Sequence, residues 1–276
     1  MIRMSKNRII HGNAVKILSE IPDNAVDLVV TSPPYDDLRQ YHKNRSEKYN
    51  GYSFPFEAIA VELERVVKKG GVIVWVVADA VVKGSESGSS FRQALYFMEL
   101  GFRLHDTMIY QKAGCAFPAR RDGNRYTQIF EYMFVFSNKA KPKTANLIID
   151  KKNNWAGWHY FGGVGSRRGK TGERIKRNHH AVAEVSARNN IWRFNTGAGW
   201  SSKNPIAYEH SAVFPELLAE GHILTWSEEN DMVLDCFVGS GTVPVVAARH
   251  NRKYIGIDIS KKYCDLAKRR VDEDGV

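Results

Sequence analysis

Two segments of the chain carry residues whose types and spacing can do chemistry. Ser32-Pro33-Pro34-Tyr35 follows a β-branched run, and its two prolines forbid both helix and further ladder pairing, so a strand ends there in a stiff turn. Such a turn presents the Ser32 hydroxyl, the Pro33 carbonyl and the Tyr35 ring together. These groups suit a planar amine: the two acceptors favour the pyramidal nitrogen that can attack a methyl donor in line, and the ring holds the amine's heterocycle by stacking. Standing alone, the motif reads as a proline-rich surface turn.

The second segment is Asp235-Cys236-Phe237-Val238-Gly239-Ser240-Gly241-Thr242. Its Gly-x-Gly spacing lacks the third glycine of a dinucleotide fingerprint and the lysine of a phosphate loop. It nevertheless follows a short strand, opens a helix and is succeeded by a strand ending at Asp258, where a carboxylate can accept both hydroxyls of a ribose. That order points to an adenosine-containing ligand rather than a plain tight turn.

The elements that must position these segments read as α/β. Val26–Val30 and Val72–Val77 are buried strands, and Glu57 to Lys69 is a helix with Ile59, Leu63, Val66 and Val67 on one face, stopped by Gly70-Gly71. Phe91 to Leu100 reads as a helix, and Arg103 to Gln111 and Gln128 to Phe136 read as strands. Periodicity returns as a helix at Ala212 to Gly221, a strand at Met232–Leu234, a helix at Val243 to His250 and a strand at Tyr254–Ile257. A helix capped by Ser260 closes the series. Strands alternating with helices predict a doubly wound, mostly parallel sheet. Residues 1–136 and 206–276 form its two halves, and the Lys-, Asn-, Gly- and Trp-rich stretch 137–205 is expected to be an insert.

The 276 residues carry a net charge of +10, which favours a polyanionic partner such as nucleic acid. Arg167, Arg168, Lys170, Arg174, Lys176 and Arg177 crowd the insert, and Arg120, Arg121 and Arg125 form a second basic loop. Both are expected to bind DNA phosphates, with an arginine able to read a guanine edge. Trp155, Trp158, Tyr160, Trp192 and Trp200 interleave with the insert, where they either build a small core for it or stack on bases, core packing being the expected role for most of them. Cys115, Cys236 and Cys264 are too scattered for a disulfide scaffold or zinc site, and the paired His179-His180 lack metal-site spacing. No uncharged run is long enough to span a bilayer, so a cytoplasmic setting without membrane contact is expected.

Taken together, these motifs resemble the amino-directed DNA methyltransferases of the beta-type order, in which the catalytic half precedes the cofactor half. His11-Gly12-Asn13 through Tyr35 is similar to the family's opening block, and Asp235–Thr242 to its methyl-donor motif. His210 to Pro215 is similar to the segment lining the methionine end of the pocket, and Gly256-Ile257-Asp258 to the ribose-binding position. The resemblance implies the S-adenosylmethionine-dependent methyltransferase fold with 137–205 as an inserted DNA target-recognition region, and S-adenosylmethionine as cofactor, with no metal. It assigns catalysis to Ser32, Pro33, Pro34 and Tyr35. Cofactor contacts fall to Asn13, Thr31, Ser32, Phe214, Pro215, Asp235, Phe237, Gly239, Ser240, Gly241, Thr242, Asp258 and Ile259. Asn13 stands where the family commonly has an acid, and Cys236 where it has a proline.

A serine heading the Pro-Pro-Tyr turn resembles enzymes acting on cytosine N4, whereas aspartate or asparagine there is more usual for adenine N6. Cytosine N4 in duplex DNA is therefore the expected target, with adenine N6 as the alternative. Methylation at cytosine C5 needs a Pro-Cys nucleophile loop, and no such dipeptide occurs. A DNA-binding regulator that keeps the fold without turnover, and a nicotinamide-dependent oxidoreductase, are the rival classes. The expected partners are double-stranded DNA and a cognate restriction endonuclease, with the enzyme acting as monomer or homodimer. The loop 36–52, next to the catalytic turn, reads either as a lid over the bound base or as a passive connection.

Overall fold

The structure, a computed structural model, describes residues 2, 4, 7–34, 55–113, 125–158, 166–168, 170–176 and 181–275. Tyr35, the 36–52 loop, Cys115, Arg120, Arg121, Tyr160, Arg177, His179 and His180 lie outside the described residues. The chain divides into two compact units, residues 1–146 with 190–276 and, separately, Leu147–Asn189. The second unit falls within the stretch expected as an insert. Ser137 and Asn138 end a strand of the first unit, and Ile191–Phe194 is another of its strands.

In chain order the first unit begins with β1 (Arg8–His11), α1 (Ala14–Ser19), β2 (Val26–Thr31), α2 (Phe56–Val66) and β3 (Val67–Val77). A short ladder of β4 (Val81–Val82) and β5 (Ser85–Glu86) leads to α3 (Ser89–Glu99), β6 (Phe102–Lys112) and β7 (Phe130–Asn138). The second unit holds β8 (Ile149–Lys152), β9 (Ser166–Arg168), β10 (Arg174–Lys176) and β11 (Val185–Ala187), paired as two antiparallel ladders, β8 with β11 and β9 with β10. The chain returns to the first unit as β12 (Ile191–Phe194), α4 (Glu216–Trp226), β13 (Met232–Asp235), α5 (Thr242–Arg249), β14 (Lys253–Asp258) and α6 (Lys261–Asp274).

Eight strands form one sheet in the order β1-β14-β13-β2-β3-β7-β6-β12. All neighbours are parallel except β7, which runs antiparallel between β3 and β6. The central strands are buried on both faces, as near-continuous Val and Ile runs require, with every residue of β2 and β13 out of solvent. Val29, Ile73, Trp75, Phe134 and Phe136 face a core with Ile59 and Leu63 of α2 and Phe97 of α3. Helices α1, α2 and α3 pack on one another, as do α4, α5 and α6, giving the sheet its two helical layers. Among the described residues, no helix is long and apolar enough to cross a membrane.

Three expectations are corrected. The helix read over Glu57 to Lys69 ends at Val66, and Gly70-Gly71 lies inside β3 rather than stopping a helix. The register between β2 and β3 slips from Val26↔Val67 to Leu28↔Val72, a bulge that needs glycine: Gly70 has φ +76°, and a Cβ on Gly71 would meet Asp27 O at 2.9 Å. Lys68 in that bulge pairs with the buried Asp27 at 2.7 Å. The helix expected from Ala212 starts at Glu216, because Pro215 sits as its extended N-cap. The tryptophans expected in a core divide: Trp192 is buried, whereas Trp155, Trp158 and Trp200 are exposed.

Candidate active site

The order in which the chain adds strands reverses between the parallel neighbours β13 and β2. From β13 the chain steps through α5 to β14 on one side, and from β2 through α2 to β3 on the other. At such a switch point the crevice beyond the strand ends is where α/β folds bind ligands. The two chemistry-bearing segments leave the sheet there: Ser32-Pro33-Pro34 from β2, and the glycine turn from β13. They are joined across 204 residues of sequence by a hydrogen bond in which Thr31 Oγ1 donates to Asp235 Oδ1 at 2.7 Å.

Asp235 organises its own turn. The same oxygen accepts the Phe237 N–H at 3.0 Å. Burial pushes the Asp235 carboxyl up to about 7, against the Thr31 hydroxyl and the Phe237 amide, with the nearby Asp258 charge adding to the rise. The next residue, Cys236, is buried with its Sγ 3.8 Å from Thr31 Oγ1, and burial together with the Asp235 charge holds its thiol far above the ordinary range. It is therefore no candidate for a nucleophile.

The glycine turn hangs on β14. Val238 N donates to Ile257 O at 2.8 Å, and Gly239 N donates to Asp258 Oδ2 at 3.0 Å. Gly239 and Gly241 have φ of +47° and +82°. A Cβ on Gly239 would stand 3.1 Å from His210 Nε2, and one on Gly241 would stand 2.7 Å from Ala267 Cβ on α6. The loop thus demands glycine twice over, for conformation and for close approach. Gly256 lets β14 pass beneath it, since a Cβ there would lie 2.7 Å from Val238 Cγ2.

Asp258 completes the rim. Its Oδ1 accepts Ser260 N at 2.8 Å, and its backbone carbonyl accepts Gly12 N at 2.9 Å, which draws the end of β1 alongside. Burial raises its pKa, opposed by the two backbone donors and His11. A carboxylate has about four acceptor positions, and the two amides take one on each oxygen. Two remain for a vicinal diol, so the donor set fits the ribose of S-adenosylmethionine. Ile259, beside it, is 39% exposed, and the half-buried Phe237 ring meets Trp75 edge-on at 6.4 Å.

The remaining expected positions divide. Phe214 is brought to the turn, its carbonyl accepting Thr242 Oγ1 at 3.3 Å, and Pro215 caps α4. Ser240 is buried within the turn. Pro33 is buried, and Ser32 and Pro34 are half-buried at the end of β2. Asn13 is the N-cap of α1, its side chain accepting Lys16 N at 3.3 Å. Among the basic residues, Arg125 belongs to the first unit and reaches Gly84 O and Glu86. Arg167 and Arg168 lie on β9, Arg174 and Lys176 on β10, and Lys170 is exposed between these strands of the second unit.

One residue of this site escapes sequence reasoning. Arg270 of α6 is 1% exposed, and its guanidinium donates to Ser240 O at 2.7 Å, to Ser240 Oγ and Thr242 Oγ1 at 3.2 Å, and to Glu216 Oε1 at 2.7 Å. It ties the glycine turn to the first residue of α4. Its partners are a backbone carbonyl, hydroxyls and one carboxylate from distant segments, so no local pattern marks it.

A mixed sheet of this order, with a glycine turn and a Ser-Pro-Pro turn side by side at its switch point, defines the S-adenosylmethionine-dependent methyltransferase fold. The DNA methylase family model matches residues 26–269. The orphan methyltransferase M.BamHII of Bacillus amyloliquefaciens is 56% identical over 257 residues, 91% of this chain and 90% of the relative. Among solved structures, the PvuII DNA methyltransferase (cytosine-N4-specific) superposes with a TM-score of 0.69 at 21% identity, covering 96% of this chain and 86% of that one. A DNA modification methylase of Thermus thermophilus, complexed with S-adenosyl-L-methionine, gives 0.64 at 24% identity, covering 97% and 94%. The chain belongs to the amino-directed DNA methylase family: it is a DNA methyltransferase, and its cofactor is S-adenosylmethionine.

Proposed function

We propose that the enzyme methylates the exocyclic N4 amine of cytosine in duplex DNA. The observation that carries this reading is the placement of Ser32, heading the turn that leaves β2, beside the Asp235 turn of β13 through the Thr31–Asp235 hydrogen bond. The name of the PvuII neighbour, which is cytosine-N4-specific, supports the choice of base.

In this reading the Ser32 hydroxyl and Pro33 carbonyl accept hydrogen bonds from the target amine, drawing its lone pair out of conjugation with the ring. Tyr35 stacks on the extruded base, a contribution of roughly 1–3 kcal/mol that helps offset the few kcal/mol of unstacking. Asp258 holds the ribose hydroxyls, Phe237 and Ile259 flank them, and Phe214 and Pro215 line the methionine end. Asn13 contributes from the N-cap of α1, while Gly239, Ser240, Gly241 and Thr242 shape the turn. When bound, S-adenosylmethionine supplies an electrophilic methyl group. Arg125 and the basic residues of β9 and β10 neutralise phosphates.

The test is incubation with labelled methyl donor and unmodified duplex DNA of mixed sequence, followed by digestion to nucleosides. The expected product is N4-methylcytosine. N6-methyladenine would transfer the reading to the other amine, and donor binding without incorporation would identify a regulator.

A further inference from the structure

The second unit, Leu147–Asn189, contains nine Lys and Arg against three Asp and Glu, so it holds +6 of the chain's net +10. Among its residues whose side chains are described, none is a buried hydrophobic. Trp155 and Trp158 are 66% and 53% exposed, and their rings rest on each other with centroids 5.4 Å apart at a 41° tilt. The backbone beneath them is held on several sides. Asn153 N donates to Glu184 O at 2.9 Å, Gly157 N to Val182 O at 2.8 Å, Trp158 N to Trp155 O at 3.0 Å, and Val182 N to Trp158 O at 3.0 Å. Gly157 turns the chain with φ +78°, and the exposed Lys151 and Lys152 of β8 lead into the turn.

Two indoles more than half exposed on a pinned turn present apolar surface that a partner can cover. The surrounding charge selects that partner. A second copy would bring +6 against +6, whereas duplex DNA brings a dense row of phosphates together with apolar base and sugar surfaces. We propose that the Trp155–Trp158 pair is a DNA-contact element that packs on base and sugar surfaces of the substrate duplex while neighbouring cations take the phosphates. This goes beyond the choice of target base and holds for cytosine or adenine alike.

The test uses the full chain with S-adenosylmethionine and a fluorescein-labelled 30-base-pair duplex of mixed sequence, a length of about three helical turns. Replacing both residues (Trp155→Ala with Trp158→Ala) should weaken duplex binding roughly tenfold or more. The slope of log K against log salt should stay unchanged, because no phosphate contact is lost. Cofactor affinity should also be unchanged, and Trp155→Phe with Trp158→Phe should recover part of the loss. Lys151→Ala with Lys152→Ala should instead flatten the salt slope. Hydroxyl-radical footprinting of the wild-type protein checks the same surface without a variant: both indoles should be protected when DNA is added. Duplex binding by the double alanine variant equal to wild type, absence of protection by DNA, or protection that depends on protein concentration alone would each overturn the proposal. Wild-type binding to the duplex is scored separately and tests only whether the enzyme engages this DNA.

Discussion

Thr31 and Asp235 are neighbours through one 2.7 Å hydrogen bond that joins the strand bearing the amine-facing turn to the strand bearing the cofactor turn. Both residues are buried. The two strands otherwise share a short register, Val233↔Leu28 and Leu234↔Val29, so this bond extends their pairing to the rim of the site. Thr31→Val keeps the shape and removes the donor, leaving Asp235 Oδ1 with the Phe237 amide. A buried acceptor that loses a partner costs about 1–3 kcal/mol. Urea unfolding should show a loss of that size, and turnover should fall because the two turns lose their fixed spacing. Thr31→Ser should restore most of both.

Arg270 offers a different handle on the same turn. Arg270→Met removes the donors to Ser240, Thr242, Ser202 and Glu216 and leaves the mostly buried Glu216 with Arg249 as its remaining cationic partner among the described residues. Breaking a buried pair on one side typically costs about 3–5 kcal/mol. Arg270→Lys keeps the charge without the fork. Its expected signature, read by calorimetric titration and steady-state kinetics, is weaker S-adenosylmethionine binding and a raised KM for the cofactor, with duplex affinity unchanged.

Much of this site is legible in the sequence because its strands are continuous β-branched runs cut off by residues that cannot pair. Val26–Val30 ends at two prolines, and Met232–Leu234 runs into a turn whose glycines are required by φ and by Ala267 and His210. Reading fails where one signal serves two purposes. Gly70-Gly71 looks like a helix stop because glycine is favoured there, yet it relieves a β-bulge against Asp27. β1 is missed because four residues at the sheet edge carry little periodicity, and the part Asn13 plays as the N-cap of α1 goes unread with it. The tryptophans of the insert suggest a core by type alone, but burial depends on what surrounds them.

Ser32→Ala removes the hydroxyl proposed to accept from the target amine and leaves Thr31, Asp235 and the glycine turn in place. Catalytic groups of this kind act in the transition state, so kcat and kcat/KM for DNA should fall together by about 10²-fold or more. Cofactor affinity from equilibrium titration should change little. Equal losses in turnover and in cofactor binding would place Ser32 in the cofactor pocket instead.

Gly241→Ala tests the turn through sterics. At φ +82° a side chain carries a left-handed cost of about 1–2 kcal/mol, and the new methyl would lie 2.7 Å from Ala267 Cβ and 2.8 Å from its Cα. The nearer obstacle includes α6 backbone, which cannot swing aside as a flexible side chain would. Thermal unfolding should drop, and cofactor affinity should fall because α6 and the turn must separate. Pairing the change with Ala267→Gly removes the Cβ clash but not the left-handed cost, so it should recover only part of the loss.

The pH dependence of stability reports on Asp235 directly. Its carboxyl is pushed up to about 7 in the folded chain by burial, whereas in the unfolded chain it titrates near about 3.9. Between those values the folded state holds a proton that the unfolded state has released, so stability falls as pH rises, with a limiting slope of about 1.4 kcal/mol per pH unit for one proton. The contribution is fully present below about pH 4 and lost once pH passes about 7. Asp235→Asn has no such proton. The stability difference between wild type and this variant, measured by urea unfolding from pH 4 to 8, should therefore move against the wild type across that window and level off above it. Thr31→Val, which removes a donor favouring the ionised form, should shift the levelling to higher pH. A pH-independent difference would show that Asp235 is ionised throughout, with the Thr31 and Phe237 donors outweighing its burial.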